Sequence, residues 1–215
     1  MNLFLASSLD KTLPLLKPLL KNKPATKVAF IANASDHAEG ADPDLAEGDV
    51  WWVNNDRIKF EELGHTVTNV DLRTVSADEL KQILEDNDIL HVAGGSVFYC
   101  MGLIKKRGFE TILTDAVKSG SIIYTGTSAG SMIVCPSLAM FAFDAEEQEF
   151  LNDVLDQKGL GLINFSIIPH SNNPEFVSEY SKIVEKLPIN TEPLLFIQDT
   201  QAVWVEDDTF KIVSI

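Results

Sequence analysis

Short runs of consecutive apolar residues alternate with longer segments of helical periodicity along most of this chain. The runs have the length of strands, and their apolarity is continuous, which is typical of strands covered on both faces. Repeated alternation of this kind indicates a parallel α/β sheet with right-handed crossovers. It predicts strands at Asn2–Ala6, Lys27–Ala32, Thr66–Val70, Asp88–Val92 and Ser121–Tyr124, and helices at Val50–Leu63, Ser76–Glu85 and Phe109–Ser119.

Residues that start and stop helices agree with this pattern. Ser76 lies three residues before Glu79, which is the spacing of a capping box at a helix N terminus. Gly64, Gly108 and Gly120 each follow a helical segment at the point where it should end. The local signals and the apolar periodicity therefore predict the same elements.

The alternation of apolar runs and helical segments changes after about residue 165. The pattern predicts a strand at Ser166–Ile168, a helix at Pro174–Leu187, and closely spaced strands at Leu194–Ile197, Gln201–Val205 and Phe210–Val213. Such close spacing predicts hairpin-like pairing at one end of the sheet. With no repeat or linker in the sequence, we predict one domain over residues 1–215, a three-layer α/β/α fold with a mostly parallel central sheet and C-terminal hairpin strands.

Charge and composition exclude several classes of partner. The 17 Lys and Arg residues against 32 Asp and Glu residues give a net charge of −15, which repels nucleic acid and anionic membranes. No apolar stretch approaches the roughly 18 residues of a membrane span, and the first residues do not resemble a signal peptide, so we expect a cytoplasmic protein. Cys100 and Cys135 form no CxxC pair, and we expect reduced thiols and no metal site.

Two acidic stretches interrupt the strand–helix pattern. They run from Asp36 to Asp49 and from Asp144 to Glu149. Neither has the alternating acidic spacing and closing Glu of an EF-hand loop. We therefore expect solvated, mobile loops rather than calcium sites.

The most informative segment is Gly126-Thr127-Ser128-Ala129-Gly130, a G-x-S-x-G between a predicted strand and a helical segment. In this context a strained turn lifts the serine side chain out of the sheet, while the glycines allow close packing. Ser128 is the candidate nucleophile, and the N–H of Ala129 is free to bind a developing oxyanion. The alternative is a tight turn that merely requires small residues.

A serine nucleophile needs a base, and the chain has four histidines. In open α/β sheets the site forms beyond the carboxyl ends of the strands, where His170 follows Ile167-Ile168-Pro169. We expect His91 to be a hydrogen-bonded core residue, and His37 and His65 to be solvated. Asp199, just after Leu194–Gln198, is the candidate acid that orients the imidazole.

A second glycine site lies at Ala93-Gly94-Gly95-Ser96, after another strand. Adjacent glycines let the backbone approach a ligand, so Gly95 is a candidate for the second oxyanion donor. We expect Gly94 and Ser96 to contact substrate, together with Asn172 in the polar stretch after His170. A dinucleotide site with Asp71 as the ribose-binding acid is the alternative, but G-x-G-x-x-G is absent, so we expect no cofactor.

Taken in order, Gly94-Gly95, the Ser128 elbow, Pro169-His170 and an acid before the C-terminal strands resemble the peptidase E group of serine peptidases, which includes aspartyl dipeptidases and cyanophycinases. The resemblance implies a class I glutamine amidotransferase-like fold and the order Ser, His, acid. α/β-Hydrolases have the order Ser, acid, His instead. Ser128 would then be the nucleophile and His170 the base, with Gly95 and Ala129 in the oxyanion hole.

Three departures from the family pattern bear on these roles. The family commonly has Gly-Gly-Gly-Asn where this chain has Ala93–Ser96, and often Glu where it has Asp199. Glu192 competes with Asp199 for the acid role, but it precedes the strand and would have to reach back. Where similar aspartyl dipeptidases clamp the substrate Asp with an Arg after the catalytic His, this chain offers only Lys182 and Lys186 before Pro188. Lys does not replace such a planar clamp, so strict specificity for N-terminal Asp is not supported.

The leading hypothesis is a serine peptidase that cleaves dipeptides or short peptides through an acyl-enzyme on Ser128. The first alternative is a catalytically silent protein that keeps the fold and binds a peptide or small molecule. A glutaminase is a weaker alternative, because that chemistry uses a Cys at the elbow, and we place Cys135 two turns along the helix that follows. Edge strands near the C terminus would allow pairing into a homodimer.

Overall fold

The computed structural model describes residues 1–20, 26–38, 50–186 and 192–215. Its strands and helices alternate as the apolar pattern predicts. The strands are β1 Asn2–Ala6, β2 Lys27–Ile31, β3 Thr66–Asn69, β4 Ile89–Val92, β5 Ile123–Thr127, β6 Ser166–Ile168, β7 Leu194–Phe196, β8 Gln201–Glu206 and β9 Thr209–Ser214. The α-helices are α1 Leu9–Leu16, α2 Trp51–Glu62, α3 Ala77–Asp86, α4 Val97–Arg107, α5 Glu110–Lys118, α6 Ala129–Met132 and α7 Pro174–Lys186.

Seven strands form the central sheet in the order β3-β2-β4-β5-β1-β8-β9. The first five are parallel to their neighbours, whereas β8 runs antiparallel to β1 and β9 antiparallel to β8. Because successive side chains of a strand point to opposite faces, the sheet separates two apolar layers. Phe4, Phe30 and Trp204 pack with residues of α1 and α2, while Leu3, Leu90 and Val203 pack with residues of α3, α4 and α5. The three-layer fold with a mostly parallel sheet and a C-terminal hairpin is confirmed.

Two of the predicted helix signals are present in full. The Ser76 hydroxyl accepts from the Glu79 N–H, and the Glu79 carboxylate accepts from the Ser76 N–H, which completes the capping box of α3. Gly108 ends α4 in the left-handed region at φ 69°, where residues with a Cβ are disfavoured. Helix ends that carry a capping box or a terminating glycine can therefore be predicted from the sequence.

The last strands differ from the prediction in their pairing. β7 does not form a hairpin with β8 but pairs in parallel with β6, from Ser166 opposite Leu194 to Ile168 opposite Phe196, in a separate two-stranded sheet. α7 lies between these two strands in the sequence, as a crossover connection requires. Hairpin pairing is confirmed for β8 and β9 and is wrong for β7.

Two element lengths near the elbow also differ. β5 extends to Thr127 rather than ending at Tyr124, because Thr125 to Thr127 pair with β1 on one side and Thr125 and Gly126 with β4 on the other. α6 ends at Met132, so Cys135 lies beyond it rather than two turns along it. The carbonyls of residues 133, 134 and 135 accept hydrogen bonds from residues 160, 162 and 161, and Pro136 follows. The chain therefore leaves the helix after one turn.

No helix in the described ranges combines the length and the apolarity that a membrane crossing requires. Most of the predicted acidic loop from Asp36 to Asp49 lies outside the described residues.

Candidate active site

Ser128 lies on a strained turn between β5 and α6, with φ 49° and ψ −113°. Such a backbone conformation is costly for a residue with a side chain and persists only where the surroundings impose it. Here both flanking glycines impose it by close packing. A Cβ on Gly130 would lie 1.9 Å from the Val92 carbonyl oxygen, and one on Gly126 would lie 2.4 Å from the Gly130 carbonyl oxygen. The G-x-S-x-G spacing thus has a steric reason in this fold.

The structure brings Ser128, His170 and Asp199 together as predicted from the sequence. The Ser128 Oγ lies 2.9 Å from the His170 Nε2, and the His170 Nδ1 lies 2.6 Å from the Asp199 Oδ1. Both ring nitrogens of the imidazole are therefore engaged, one by a hydroxyl and the other by a carboxylate. This is the arrangement in which the acid fixes the tautomer that leaves Nε2 free to accept the serine proton.

The position of His170 is fixed by its backbone and by its ring face. It follows β6 and Pro169, and its φ of 58° places it in the left-handed region. The imidazole stacks on the Phe176 ring from α7, with centroids 4.9 Å apart and planes at 22°. Its side chain is 18% exposed, so the ring reaches solvent while being held on two sides.

Asp199 is surrounded by groups that favour its ionised form. Burial on its own raises the pKa of this carboxyl, but hydrogen bonds from Ser7 and His170 and the positive charge of Lys11 outweigh it, so the pKa lies below its ordinary value. The Lys11 Nζ lies 3.5 Å from the Asp199 Oδ2. Asp199 is therefore a carboxylate at neutral pH, as the orienting role requires.

Glu192, the competing candidate for the acid, lies at the wrong end of β6. Its Oε1 accepts a hydrogen bond from the Ser166 hydroxyl at 2.7 Å, and Ser166 is the first residue of that strand. His170 lies two residues beyond the last residue of β6, so the strand separates the two side chains. Of the two candidate acids, it is Asp199 that contacts the imidazole.

Ser7 is part of this constellation, and sequence reasoning missed it. Its hydroxyl donates to the Asp199 Oδ1 at 2.8 Å, accepts from the His170 backbone N–H at 2.8 Å, and lies 3.2 Å from the His170 Nδ1. The residue is 1% exposed. It follows β1, which lies beside β5 in the sheet, so it projects at the same sheet edge as the elbow. A serine at the end of a strand was the available signal, but only the strand order shows that this strand neighbours the elbow.

We expect Ser7→Ala to lower turnover about 10-fold with little change in KM. The change removes one hydrogen bond to the Asp199 carboxylate and leaves the His170 N–H without its acceptor, a loss on the order of 1 to 3 kcal/mol. Steady-state kinetics would measure the effect. Ser8→Ala is the matched control, because the adjacent Ser8 hydroxyl makes no capping bond to α1. Equal turnover in both variants would contradict a role for Ser7 in positioning the imidazole and the acid.

Gly94 lies against the elbow, and Gly95 follows it and packs on Ala34. A Cβ on Gly94 would lie 3.3 Å from the Ser128 Cβ. Gly95 has φ 136°, and a Cβ there would lie 2.1 Å from the Ala34 carbonyl oxygen, so this position requires glycine. Within the described ranges, the N–H groups of Gly95 and Ala129 have no acceptor. Gly95 and Ala129 therefore remain the candidate oxyanion donors.

The Gly94 carbonyl is held by a short chain of hydrogen bonds. The Trp52 indole N–H donates to the Ser35 hydroxyl at 2.9 Å, which donates in turn to the Gly94 carbonyl at 2.6 Å. The Cδ1 atom of the Trp52 ring lies 3.7 Å from the position that a Gly94 Cβ would take. Trp52 from α2 is thus a wall of the site that sequence reasoning missed.

Two residues expected to contact substrate have other partners. The Ser96 hydroxyl accepts from the Tyr99 N–H at the start of α4 and donates to Glu147, and its own N–H donates to the Ala34 carbonyl. The Asn172 Oδ1 accepts from the Asp199 backbone N–H at 3.0 Å. Ser96 therefore caps a helix and Asn172 fixes the loop of the acid. Because Ser and Asn are both good N-cap residues, the departure from Gly-Gly-Gly-Asn keeps this cap.

The remaining histidines have structural contacts. His91 is fully buried, with its Nδ1 2.9 Å from the Thr125 hydroxyl and its Nε2 3.3 Å from Asp56, which confirms a hydrogen-bonded core residue. His37 is exposed and packs edge-on against the Tyr99 ring, with centroids 4.5 Å apart. His65 is half-buried rather than solvated, and burial lowers its pKa.

The groups that would support other chemistries are occupied or buried. Asp71, the candidate ribose-binding acid, accepts from Arg73 and Asn33; burial raises its pKa, but these bonds hold it below its ordinary value. Burial raises the pKa of the Cys135 thiol to about 12, which disfavours the thiolate that a glutaminase needs. In the part of the chain that the structure describes, no three His, Cys, Asp or Glu side chains lie close enough to hold a metal ion.

Comparison with known proteins agrees with this geometry. The model of peptidase family S51 matches residues 3–213. The chain belongs to peptidase family S51. Family S51 thus covers the elbow, the histidine and the acid alike, and the resemblance to peptidase E is confirmed at this level.

Individual relatives point in the same direction. An uncharacterized peptidase of Listeria innocua is 27% identical over 209 residues, covering 94% of this chain and 95% of its own length. Another uncharacterized peptidase, from Pasteurella multocida, is 29% identical over 212 residues, covering 98% of this chain and 96% of its own length. The crystal structure of a candidate peptidase E protein from Listeria monocytogenes superposes with a TM-score of 0.86 at 27% identity, covering 100% of this chain and 98% of that one. This S51 chain therefore shares its fold with that candidate peptidase E protein over its full length.

Proposed function

We propose that this S51 peptidase is a serine peptidase that hydrolyses short peptides through an acyl-enzyme on Ser128. The observation that carries the proposal is the 2.9 Å contact between the Ser128 Oγ and the His170 Nε2, with Asp199 on the other ring nitrogen. A serine hydroxyl becomes a useful nucleophile only beside such a base. A purely ligand-binding role would not need both ring nitrogens of one imidazole to be engaged in this way.

The acylation step follows from the positions of these groups. The Ser128 oxygen attacks the scissile carbonyl carbon while the His170 Nε2 takes the hydroxyl proton. The carbonyl oxygen becomes an oxyanion, to which we assign as donors the N–H groups of Gly95 and Ala129, neither of which has an acceptor among the described residues. When the tetrahedral intermediate collapses, the C–N bond breaks and His170 gives its proton to the departing amine.

Deacylation reverses the proton transfers. A water molecule attacks the acyl carbon and gives a proton to the His170 Nε2. The ester bond to Ser128 then breaks, the acid product leaves, and the proton returns to the serine oxygen. Throughout, the Asp199 carboxylate stabilises the imidazolium that forms in both halves of the reaction. The residues of this chain supply every proton acceptor and donor in the cycle except the water itself.

The proposal commits to short peptides and not to a particular side chain. Lys186, one of the two candidate replacements for a clamping Arg, is already engaged, with its Nζ 4.6 Å from the centre of the Phe143 ring. Lys11 faces the Asp199 carboxylate. Because the sequence also has no Arg between His170 and Pro188, we propose no preference for an N-terminal Asp. A panel of dipeptides with varied first residue, with Asp-led peptides as the reference, tests this point.

A fluorophosphonate probe tests the proposed function directly. The probe phosphonylates an activated serine, so wild-type protein should be labelled at Ser128, as shown by mass spectrometry of the modified peptide. Ser128→Ala should not be labelled. A wild-type protein that has its native fold and stays unlabelled would contradict the proposal and support the silent binding protein.

The lowered pKa of Asp199 has a consequence for stability. A carboxyl whose pKa is lower in the folded state contributes stability above its unfolded pKa, near 3.9, and loses it as pH falls through the folded value. Replacing Asp199 by Asn removes the charge at every pH. We expect the difference in unfolding free energy between wild type and Asp199→Asn to be constant above about pH 5 and to shrink below about pH 4. Urea unfolding across this pH range measures the difference in unfolding free energy. A difference that does not change with pH would contradict a lowered pKa of Asp199 in the folded protein.

A further inference from the structure

Glu147 is a buried carboxylate outside the triad, and its contacts lead to the oxyanion site. It lies between two 3-10 helices, Phe141–Phe143 and Leu151–Asp153, and is 5% exposed. Its Oε1 accepts from the Val97 N–H at 2.6 Å, and its Oε2 accepts from the Phe98 N–H at 3.0 Å and from the Ser96 hydroxyl at 2.6 Å. A single side chain thus takes three hydrogen bonds from the start of α4.

These contacts explain why a carboxylate is stable in a buried place. Burial raises the pKa of Glu147 above its ordinary value, although the three hydrogen bonds favour the anion. The first N–H groups of a helix have no partner within the helix and carry partial positive charge. In this protein the Glu147 carboxylate accepts hydrogen bonds from these N–H groups at the start of α4. An amide side chain could not replace it, because its NH2 group would face an N–H donor.

Ser96, whose hydroxyl donates to Glu147, is adjacent in sequence to Gly95, the candidate oxyanion donor. Ser96 follows Gly95, and the Ser96 N–H donates to the Ala34 carbonyl at 2.7 Å. That same carbonyl occupies the space where a Gly95 side chain would lie. The loop is therefore held from one side by Ala34 and from the other by Glu147. Gly95 adopts φ 136°, and glycine has no side chain that would favour one backbone conformation over another. The direction of its N–H therefore depends on the contacts with Ala34 and Glu147 that hold the loop.

We propose that Glu147 is a positioning residue that holds the Gly95 N–H in place for the oxyanion. This inference rests on the proposed function. Glu147 acts through Ser96 and α4 and does not itself reach the reacting atoms. Its removal should weaken stabilisation of the tetrahedral state more than binding of the substrate, because the oxyanion exists only in the former.

The test compares Glu147→Gln with Glu149→Gln. Glu149 is an exposed neighbour, so its variant loses the same charge without touching α4. The readout is the second-order rate of Ser128 labelling by a fluorophosphonate, whose phosphoryl oxygen takes the place of the oxyanion. We expect labelling of Glu147→Gln to be roughly 10-fold slower or more, and that of Glu149→Gln to match wild type. The 31P chemical shift of the adduct, which senses hydrogen bonds to that oxygen, should move toward its denatured value in Glu147→Gln alone.

The outcomes separate this inference from the proposed function. If wild type is not labelled, the proposed function fails. If wild type is labelled and Glu147→Gln shows the same rate and the same 31P shift, the role of Glu147 fails while the proposed function stands. If Glu147→Gln does not fold, Ser96→Ala replaces it, because that variant keeps both backbone bonds to the carboxylate. We then expect a several-fold slower rate, and an unchanged rate in Ser96→Ala would overturn the inference.

Discussion

Ser128→Ala is expected to lower turnover of short-peptide hydrolysis by roughly four to six orders of magnitude. In the proposed reaction the hydroxyl is the group that forms the acyl-enzyme, and it is the hydroxyl that lies beside the His170 Nε2, at 2.9 Å. Steady-state kinetics on the best substrate of a dipeptide panel, with product detected by mass spectrometry, would measure the loss. Turnover within 10-fold of wild type would rule out an acyl-enzyme on this residue.

The same variant should keep its fold and its ability to bind. The Ser128 backbone N–H donates to the Ala6 carbonyl at 3.0 Å, and its carbonyl accepts from Ser131 and Met132, and alanine preserves all of these bonds. The strain at φ 49° is also unchanged, since both residues carry a Cβ. A melting temperature close to wild type, together with peptide binding by calorimetry, would show that the lost turnover is chemical and not structural.

Much of this architecture could be predicted because it depends on local chemistry. The ranges of β1 and β6 match their apolar runs residue for residue, and the elbow follows from two glycines that no larger residue could replace. His170 and Asp199 could be found because each follows a recognisable strand, and parallel strands end at a shared edge. Elements and site residues can be predicted from the sequence where local chemistry alone determines which residue type occupies a position.

The rest depends on which strands become neighbours, and that information is not local. Ser7 could not be assigned because nothing in the sequence states that β1 lies between β5 and β8. For the same reason the parallel pairing of β7 with β6 was not predicted. Glu147 lies about 50 residues from the helix that it caps, within a stretch that the sequence predicts to be a solvated loop. The prediction of a solvated loop at Asp144–Glu149 is therefore wrong for Glu147, which is buried, whereas Glu146 and Glu149 are exposed.

The choice between the two acids is open to a decisive experiment. Asp199→Asn is expected to lower turnover by roughly three to four orders of magnitude, as loss of the acid does in serine triads generally. The asparagine NH2 group can donate where the carboxylate accepted, so the His170 Nδ1 would become an acceptor and its proton would move to Nε2. That tautomer cannot take the proton of Ser128.

Glu192→Gln is the matched control for this variant. It makes the same change of carboxylate to amide at a residue whose hydrogen bond goes to Ser166, at the far end of β6 from His170. The geometry predicts turnover within about 3-fold of wild type, because Ser166, the hydrogen-bond partner of Glu192 among the described residues, lies at the opposite end of β6 from the imidazole. The reverse result, a large loss in Glu192→Gln and little change in Asp199→Asn, would mean that the imidazole is oriented from the opposite end of the strand. That would require a rearrangement of the 2.6 Å contact between His170 and Asp199.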